Sequence, residues 1–488
     1  MSSLETLAES VLLPGFAGTS APDWLRRRLG AGLGGVILFG RNVVDDEQVA
    51  RLTAQLRAER DGVVVGIDEE GGDVTRLDAA TGSFVPGPLA LGAADDPELT
   101  AAVATAIGER LAACGITVNL APCGDLALSP EDPVIGVRAF GSDPVKASPH
   151  VAAYVTGLQK YGIAACVKHF PGHGAATEDS HLALPVLPRT EDELRATELV
   201  PFAAAIRAGV RSIMTGHLVI RAWGDEPATL NRKALTEVLR GELGFTGTVI
   251  TDALEMGAVS GAYRRHDGLG DAAVRSLAAG ADALCLGGAA FDADVLDRIT
   301  EVVVAAVKSG RLPLERLAEA SARTAALGAA PTFARVGPVD HRIGLEAARR
   351  ALRIRGNPRL DGPPLVVDVW EEPTIAAGPV PRGLGPHLSE LVPGTHVLNV
   401  SGADVAEVLE AAQGFRSVVV VTREGHRNPR VRALLAALAE SAANLIRVET
   451  GVPGPDDEGD RIDTFSGSYV SLRAVAESLR AVAESLAA

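Results

Sequence analysis

The chain has 488 residues, of which 47% are hydrophobic and only 4% aromatic. This length allows a barrel of roughly 250 residues together with a smaller partner domain. Lys and Arg total 46 against 62 Asp and Glu, a net charge of −16, which argues against general binding to nucleic acid or to an anionic membrane surface.

Residues 1–5 (MSSLE) lack the basic and apolar regions of a secretory signal. No run reaches the roughly 18 apolar residues that span a membrane. We therefore expect a soluble cytoplasmic protein. Cys114, Cys123, Cys166 and Cys285 form no C-x-x-C pair and lie in apolar stretches, which predicts reduced cysteines in the core.

Short apolar runs rich in β-branched residues recur up to residue 287, and each is followed by a polar or glycine-rich loop and a helix-period stretch. The runs are 11–16, 34–39, 63–68, 118–123, 164–170, 212–217, 248–253 and 283–287, and amphipathic segments between them include 47–60, 98–114, 191–208 and 271–279. Strands alternating with helices in this way predict an α/β fold with a (β/α)8 TIM-like barrel. The continuous apolar character suits strands that are buried on both faces. A doubly wound sheet is the competing fold.

Polar residues stand at the C-terminal ends of four of these runs: Asp68, Lys168 with His169, His217, and Asp252. Barrel enzymes build their sites on that rim from several strands, whereas an open sheet takes its ligand contacts from fewer strands. This distribution favours the barrel.

The chain changes character after residue 328, where glycine and proline become frequent. A helix over 345–352 is followed by buried strands over 365–370, 396–400, 417–421 and 445–449, with helices over 404–412 and 429–441. We predict a catalytic barrel over 1–335, a linker over 336–360 and a C-terminal α/β sandwich domain over 361–488. The repeated heptad RAVAESL at 473–479 and 480–486 predicts an amphipathic closing helix.

Two segments carry residue types suited to nucleophilic attack and proton transfer. Asp252 ends an apolar strand, where a carboxylate is costly to bury without partners or a function. A helix cap is its structural alternative. Asp179 and His181 lie two residues apart in a loop, so the carboxylate can fix the tautomer of the imidazole and raise its basicity. The glycine-rich residues 171–176 before them can fold over a pocket.

A zinc site is the alternative interpretation of His169, His173, Asp179 and His181. The first two histidines lie on a strand end and a loop rather than on a helix face as in H-E-x-x-H sites, and Lys168 puts a cation beside them. We therefore predict no metal and no other cofactor.

Carboxylate and guanidinium groups lie at or after the ends of two predicted strands: Asp68 ends the strand 63–68, and Arg76 and Arg138 follow the strands 63–68 and 118–123 respectively. Each alone is more often part of a structural ion pair. Together with Lys168 and His169 they form a dense polar set suited to hydrogen bonding with sugar hydroxyls.

The segment KHFPGHG at 168–174, followed by DSH at 179–181, resembles the signature of the β-N-acetylglucosaminidase branch of glycoside hydrolase family 3. Four further segments resemble family motifs in the family's order: DEEGGDVTR at 68–76, VIGVRAFG at 134–141, MTGH at 214–217 and TDALEM at 251–256. The resemblance covers the predicted barrel, and two-domain members of the family add a C-terminal α/β sandwich.

The resemblance implies that Asp252 is the nucleophile and that His181, tuned by Asp179, is the general acid/base. The residues that it implies for binding the terminal sugar are Asp68, Arg76, Arg138, Lys168 and His169. We expect a retaining exo-β-N-acetylglucosaminidase that removes terminal β-N-acetylglucosamine from cell-wall muropeptides or chitin-type oligosaccharides, through a covalent glycosyl-aspartate, as a monomer or homodimer.

Because a neutral imidazole does not repel an anion as a carboxylate does, a phosphorylase in which phosphate resolves the intermediate is the alternative function. A non-catalytic sugar-binding protein and a metal-dependent barrel hydrolase are minor alternatives. Glu69 and Asp73 stand where the family usually has Gln and Arg, and residues 175–176 (AA) where Asp-Thr is common. These departures leave the catalytic class intact and bear on substrate contacts and loop mobility.

Overall fold

The computed structural model describes residues 3–260, 268–287, 291–328, 337, 340–370, 374–378, 380–381, 383–402, 404–441, 444–455 and 459–487. The chain divides into two compact units. The first contains Met1–Glu70, Pro97–Ile135 and Ala139–Val339, and the second contains Gly71–Asp96, Gly136–Arg138 and Asp340–Ala488. The predicted boundary at 335/336 lies outside the described residues, so the limits 1–335, 336–360 and 361–488 stay predictions.

Parallel strands form the core of the first unit. We number them β1 to β8: Leu12–Pro14, Gly35–Leu38, Val64–Ile67, Val118–Asn119, Ala164–Phe170, Ser212–Thr215, Thr248–Ile250 and Leu284–Leu286. Strands β2 to β7 pair in chain order in one sheet, and β1 pairs with β8. A bridge between Ile250 and Ala283 joins β7 to β8, and β1 lies against β2. The strands therefore follow one another around a curled, barrel-like sheet, as the sequence predicts, and the doubly wound alternative is wrong.

Every residue of β1 to β8 is buried, which explains the continuous apolar runs in the sequence. Side chains of medium size, including Leu13, Ile37, Val64 and Met214, pack together in one cluster. Filling by such side chains is typical of a barrel interior. The four cysteines are free and buried, as predicted.

Helices alternate with these strands along the chain. They lie at Ser3–Glu9, Asp23–Ala31, Asp46–Arg57, Pro97–Ala113, Pro144–Gln159, Glu191–Ala196, Leu199–Arg207, Gly257–Ser260, Gly268–Ala279, Ala293–Lys308 and Leu314–Leu327, with a π-helix at Lys233–Glu242. Side-chain caps stabilise the first turn of several of these helices. Asp45, for example, precedes helix Asp46–Arg57 and accepts a hydrogen bond from Gln48 N at 2.7 Å. The predicted helix 191–208 is two helices, and Pro201, which has no N–H to donate, lies in the first turn of the second.

Short elements complete the described part of the first unit. They are the paired strands Val186–Leu187 and Val219–Ile220 and the 3-10 turns Gly40–Asn42, Arg221–Trp223 and Ala228–Leu230.

The second unit is built on one sheet. Its strands, β9 to β14, are Arg353–Arg355, Leu365–Trp370, His396–Ser401, Val418–Thr422, Leu445–Glu449 and Asp460–Asp463. The order across the sheet is β9-β14-β13-β12-β10-β11. All pairs are parallel except the edge pair β9–β14, which is antiparallel.

Helices cover both faces of this sheet. They lie at Pro88–Ala94, Arg342–Ala351, Gly385–Leu391, Val405–Ala411, Pro429–Ser441 and Tyr469–Ala487, with a 3-10 turn at Gly136–Arg138. Leu388 and Val475 pack on one face, and Val408 and Leu434 on the other. The predicted α/β sandwich and its closing helix are therefore confirmed. Among the described helices of both units, none combines the length and apolarity that crossing a membrane requires.

Candidate active site

The polar residues of the first unit that the sequence singles out gather at one rim of the barrel. Asp68 directly follows β3, Lys168 and His169 lie near the end of β5, His217 follows β6 and Asp252 follows β7. Because the carboxyl ends of parallel strands meet at the same rim, these side chains are brought together from four strands.

Lys168 is buried and held between two carboxylates. Its Nζ lies 2.6 Å from Asp68 Oδ1 and 2.7 Å from Glu70 Oε1. Only 2% of Lys168 is exposed, so the paired carboxylates offset the cost of burying its charge. Glu70 was not predicted as a site residue, although its place two residues after Asp68 in the DEEGG segment was an available signal.

His169 is oriented by Asp125, a site residue that the sequence prediction missed. Nδ1 of His169 lies 2.7 Å from Asp125 Oδ2. The same carboxylate accepts the backbone N–H of His169 at 3.1 Å and that of His173 at 2.7 Å. Burial raises the pKa of Asp125, but the charge and hydrogen bond of His169 and the proximity of His173 bring it well below its ordinary value. Asp125 therefore stays ionised. Because it binds Nδ1 of His169, the other ring nitrogen, Nε2, is available to a ligand.

Cys123, Asp125 and His169 are the described residues whose possible metal-ligating atoms lie within 4.8 Å of one another. These atoms are already joined by hydrogen bonds, since Cys123 Sγ donates to Asp125 Oδ2 at 3.2 Å and His169 Nδ1 lies 2.7 Å from the same oxygen. We therefore interpret the three as a hydrogen-bonded cluster that positions His169. The absence of a metal stays a prediction.

Asp179 and His181 form the hydrogen-bonded pair that their spacing predicts. Asp179 Oδ1 accepts from His181 Nδ1 at 2.6 Å and from the His181 backbone N–H at 2.8 Å. Burial raises the pKa of Asp179, but the hydrogen bonds from His181, with the charges of His181 and His173, lower it below its ordinary value. The ionised carboxylate thus fixes Nδ1 as the protonated nitrogen and leaves Nε2 for proton transfer.

Backbone hydrogen bonds hold the loop 171–181 at both ends. Near its start, the Gly174 carbonyl accepts from Leu128 N at 3.1 Å and from Ser129 N at 2.9 Å. A Cβ at Gly174 would collide with the Leu126 carbonyl oxygen, so this close approach requires glycine.

At the end of the loop, the His181 carbonyl accepts from Gly257 N at 3.0 Å, and the Ser180 carbonyl accepts from Ala258 N at 3.2 Å. Both donors belong to helix Gly257–Ser260, which follows Asp252 in the chain. The loop that carries His181 is therefore tied to the segment that carries Asp252.

Asp252 is partly exposed at the end of β7. Its Oδ1 accepts from Ala253 N at 2.8 Å. Burial raises the pKa of the Asp252 carboxyl, but the charges of His217, His169 and His181 bring it below its ordinary value. Asp252 is therefore ionised at neutral pH and lies within electrostatic reach of these imidazoles.

His217 supports the segment that carries Asp252. It is fully buried, its Nε2 lies 2.9 Å from the Ala253 carbonyl oxygen and its Nδ1 lies 2.7 Å from Thr229 Oγ1. Burial lowers the pKa of His217 despite the opposing charge of Asp252. A neutral imidazole that donates from Nε2 and accepts at Nδ1 satisfies both contacts.

Arg76 and Arg138 belong to the second unit. Arg76 Nη2 donates to the Ala376 carbonyl at 2.9 Å, and Nη1 donates to the Ala377 carbonyl at 3.3 Å. Arg138 is buried in the 3-10 turn Gly136–Arg138. Their role in sugar binding stays a prediction.

Two of the departures from the family motifs, Glu69 and Asp73, have hydrogen-bond or ion-pair partners in the structure. Asp73 forms an ion pair with Arg423 within the second unit, and its Oδ1 accepts from Gly467 N at 2.9 Å. Glu69, in the first unit, is held through its backbone, whose N–H donates to Asn119 Oδ1 at 2.9 Å and whose carbonyl accepts from Asn119 Nδ2 at 2.8 Å. Asp73 thus takes part in the packing of the second unit.

Comparison with known proteins matches residues 24–327 to the glycosyl hydrolase family 3 N terminal domain. A beta-hexosaminidase of Stenotrophomonas maltophilia is 39% identical over 259 residues, which cover 51% of this chain and 76% of that protein. The structure of a glycoside hydrolase family 3 beta-N-acetylglucosaminidase from Paenibacillus sp. str. FPU-7 superposes with a TM-score of 0.88 at 33% identity, over 99% of this chain and 97% of that one. The beta-glucoside phosphorylase BglX superposes with a TM-score of 0.75 over 98% of this chain and 92% of that one, but at 19% identity this shows a likeness of fold alone.

Proposed function

Because the chain belongs to glycosyl hydrolase family 3 and is a glycosidase, we propose that it is a retaining exo-β-N-acetylglucosaminidase. The observation that carries this proposal is the Asp179–His181 pair, hydrogen-bonded at 2.6 Å and tied through its loop to the helix that follows Asp252. A nucleophile and a proton donor held in fixed relation are what a retaining glycosidase requires. The activities for which the similar beta-hexosaminidase and beta-N-acetylglucosaminidase are named support the choice of sugar.

In the first step, the Asp252 carboxylate attacks the anomeric carbon while the bond to the leaving oxygen breaks. His181 Nε2–H donates its proton to that oxygen, so the leaving group departs as an alcohol. His181 becomes neutral and keeps its Nδ1–H hydrogen bond to the ionised Asp179. The product of this step is a glycosyl ester on Asp252 with inverted configuration.

In the second step, water attacks the anomeric carbon and passes a proton to His181 Nε2. The bond to Asp252 breaks, the carboxylate is restored and the second inversion returns the β configuration. His181 is again protonated on both nitrogens, so the cycle closes without any cofactor.

We assign the terminal sugar to the rim around Lys168. Asp68 and His169 offer a carboxylate and an imidazole for its hydroxyl groups, and the charge of Lys168 is balanced by Asp68 and Glu70. Arg76 and Arg138 stay proposed contacts. We propose terminal β-N-acetylglucosamine of cell-wall muropeptides or chitin-type oligosaccharides as the substrate, while the cytoplasmic location and a monomeric or dimeric state stay predictions from the sequence.

A phosphorylase is the second candidate, because a histidine proton donor becomes neutral after the first step and does not repel phosphate. The ionised Asp179, 2.6 Å from His181 Nδ1, argues against it, since this carboxylate keeps a negative charge beside the incoming anion.

The test is turnover of a panel of aryl β-glycosides with and without phosphate, with identification of the released sugar. We expect free N-acetylglucosamine at a rate that phosphate does not change. Release of a sugar 1-phosphate would establish the phosphorylase, and faster release of glucose would reject the proposed sugar specificity.

A further inference from the structure

His173 is a buried histidine that the proposed mechanism does not use. Only 2% of it is exposed, and within the described residues neither of its ring nitrogens has a hydrogen-bond partner. Its Nδ1 lies 3.7 Å from Asp132 Oδ2, a buried carboxylate oxygen that likewise has no hydrogen-bond partner in the described part of the chain. Leaving such groups unpaired is costly, so a charged pair between them is the arrangement that satisfies both.

The charged and titratable groups that face His173 come from the segment after β4, from β5, from its own loop and from the end of β7: Asp125, Asp132, His169, Asp179 and Asp252. Burial lowers the pKa of His173, but Asp132, Asp125 and Asp252 raise it above its ordinary value. The ring of His169 meets that of His173 edge-on, with centroids 6.3 Å apart. The carboxylates around His173 therefore favour its protonated form.

Both partners of this pair are fixed on their own backbone. Asp132 Oδ1 accepts from Val134 N at 2.7 Å and from Ile135 N at 2.8 Å, which leaves Oδ2 for His173. The His173 N–H donates to Asp125 Oδ1 at 2.7 Å, next to the Gly174 carbonyl that accepts from Leu128 and Ser129. The start of the loop 171–181 is thus fastened to the segment after β4 at three neighbouring points.

We propose that His173 is a positioning residue: as an imidazolium paired with Asp132, it holds the start of the loop 171–181 in place and so sets where His181 meets the leaving group. The inference rests on the proposed role of His181 as proton donor. His173 acts through the loop and does not touch the reacting atoms.

The kinetic test uses His173→Leu, which removes the charge and keeps apolar bulk, and Asp132→Asn. Each variant should lower kcat about 10-fold more for an alkyl β-N-acetylglucosaminide than for a dinitrophenyl one, because only the alkyl leaving group needs the proton. The double variant should lower kcat little more than either single variant does, since both substitutions break the same interaction.

His150→Leu is the matched control. His150 is also buried and has its Nδ1 2.7 Å from Thr100 Oγ1, but it lies in helix Pro144–Gln159. This variant should lower Tm and slow both substrates to the same extent. Equal slowing of both substrates by His173→Leu as well would overturn the positioning role and leave only a structural one.

The ion pair itself is tested without any turnover, by NMR titration of the His173 ring and by Tm as a function of pH. A histidine whose pKa is higher in the folded state than in the unfolded state stabilises the protein below about pH 6.5. This contribution is lost as the pH rises through the pKa of the folded state. The Tm difference between wild type and His173→Leu should therefore shrink as the pH rises above about 6.5. A neutral His173 ring at about pH 6 would overturn the inference, whereas failure of the wild type to release N-acetylglucosamine would overturn the proposed function.

Discussion

His181 hydrogen-bonds one oxygen of Asp179 twice, through Nδ1 at 2.6 Å and through its backbone N–H at 2.8 Å. The two contacts close a small ring that fixes both the tautomer and the orientation of the imidazole. Since the His181 carbonyl is in turn held by Gly257 N at 3.0 Å, the proton donor is fixed relative to the segment that follows the proposed nucleophile, Asp252.

Asp179→Asn tests the contribution of this pair. The amide keeps a hydrogen-bond acceptor but removes the negative charge beside the ring of His181, the proposed proton donor. We expect kcat for an alkyl β-N-acetylglucosaminide to fall about 100-fold, with a smaller loss for a dinitrophenyl glycoside, which leaves without protonation. Steady-state kinetics on the two substrates measure the difference. Equal losses would show that Asp179 does not act through the proton donor.

Lys168→Met removes the cation between Asp68 and Glu70 and leaves two carboxylates together at a buried site. Breaking a buried ion pair from one side costs about 3 kcal/mol or more, so the free energy of unfolding in urea should fall by about that amount. Asp68→Asn should cost less, because Lys168 keeps Glu70 at 2.7 Å. If the two variants were equally stable, the assignment of Glu70 as a structural partner of Lys168 would be wrong.

Gly174→Ala tests the anchoring of the loop 171–181. The added methyl group would collide with the Leu126 carbonyl oxygen, so the loop must move away from the segment after β4. We expect kcat for the alkyl glycoside to fall about 10-fold or more, since misplacement of a catalytic group by about 1 Å has effects of this size. The control is Gly30→Ala in helix Asp23–Ala31, where the nearest atom to a Cβ lies 3.8 Å away. Wild-type activity of Gly174→Ala would show that the loop's position does not matter.

The pH dependence follows from the lowered pKa of Asp252. Burial raises the pKa of Asp252, but the charges of His217, His169 and His181 lower it by more. The nucleophile therefore stays ionised at pH values below the ordinary carboxyl range. Protonation of Asp252 should therefore reduce kcat/KM only below about pH 4. The profile is measured with the dinitrophenyl glycoside on enzyme whose fold at each pH is checked by circular dichroism. An Asp252-dependent loss centred near pH 6 would contradict the electrostatics of the site.

The sequence predicts the barrel well because each of its strands is buried on both faces and reads as an apolar run. The sequence does not show to which of the two units each segment belongs. The segments Gly71–Asp96 and Gly136–Arg138 lie within the predicted barrel range but belong to the second unit. The ion pair between Asp73 and Arg423 illustrates the reason, since partners 350 positions apart leave no local pattern.

The candidate site was predictable where its residues end strands or lie close in sequence, as Asp179 and His181 do. Asp125 and Glu70 were missed because their importance depends on partners in another strand, His169 and Lys168 respectively. A carboxylate after a strand is common in sequence, and only the fold shows which cation it faces. The same holds for Asp132, whose partner His173 lies in a different loop.

The proposed mechanism depends on a covalent glycosyl intermediate at Asp252. Mass spectrometry after reaction with a fluorinated N-acetylglucosamine analogue that has an activated leaving group tests it most directly. We predict one added sugar per chain, on the peptide that contains Asp252, with no adduct in an Asp252→Ala variant that has lost nearly all turnover. An adduct on another carboxylate, or full turnover by Asp252→Ala, would show that Asp252 is not the nucleophile.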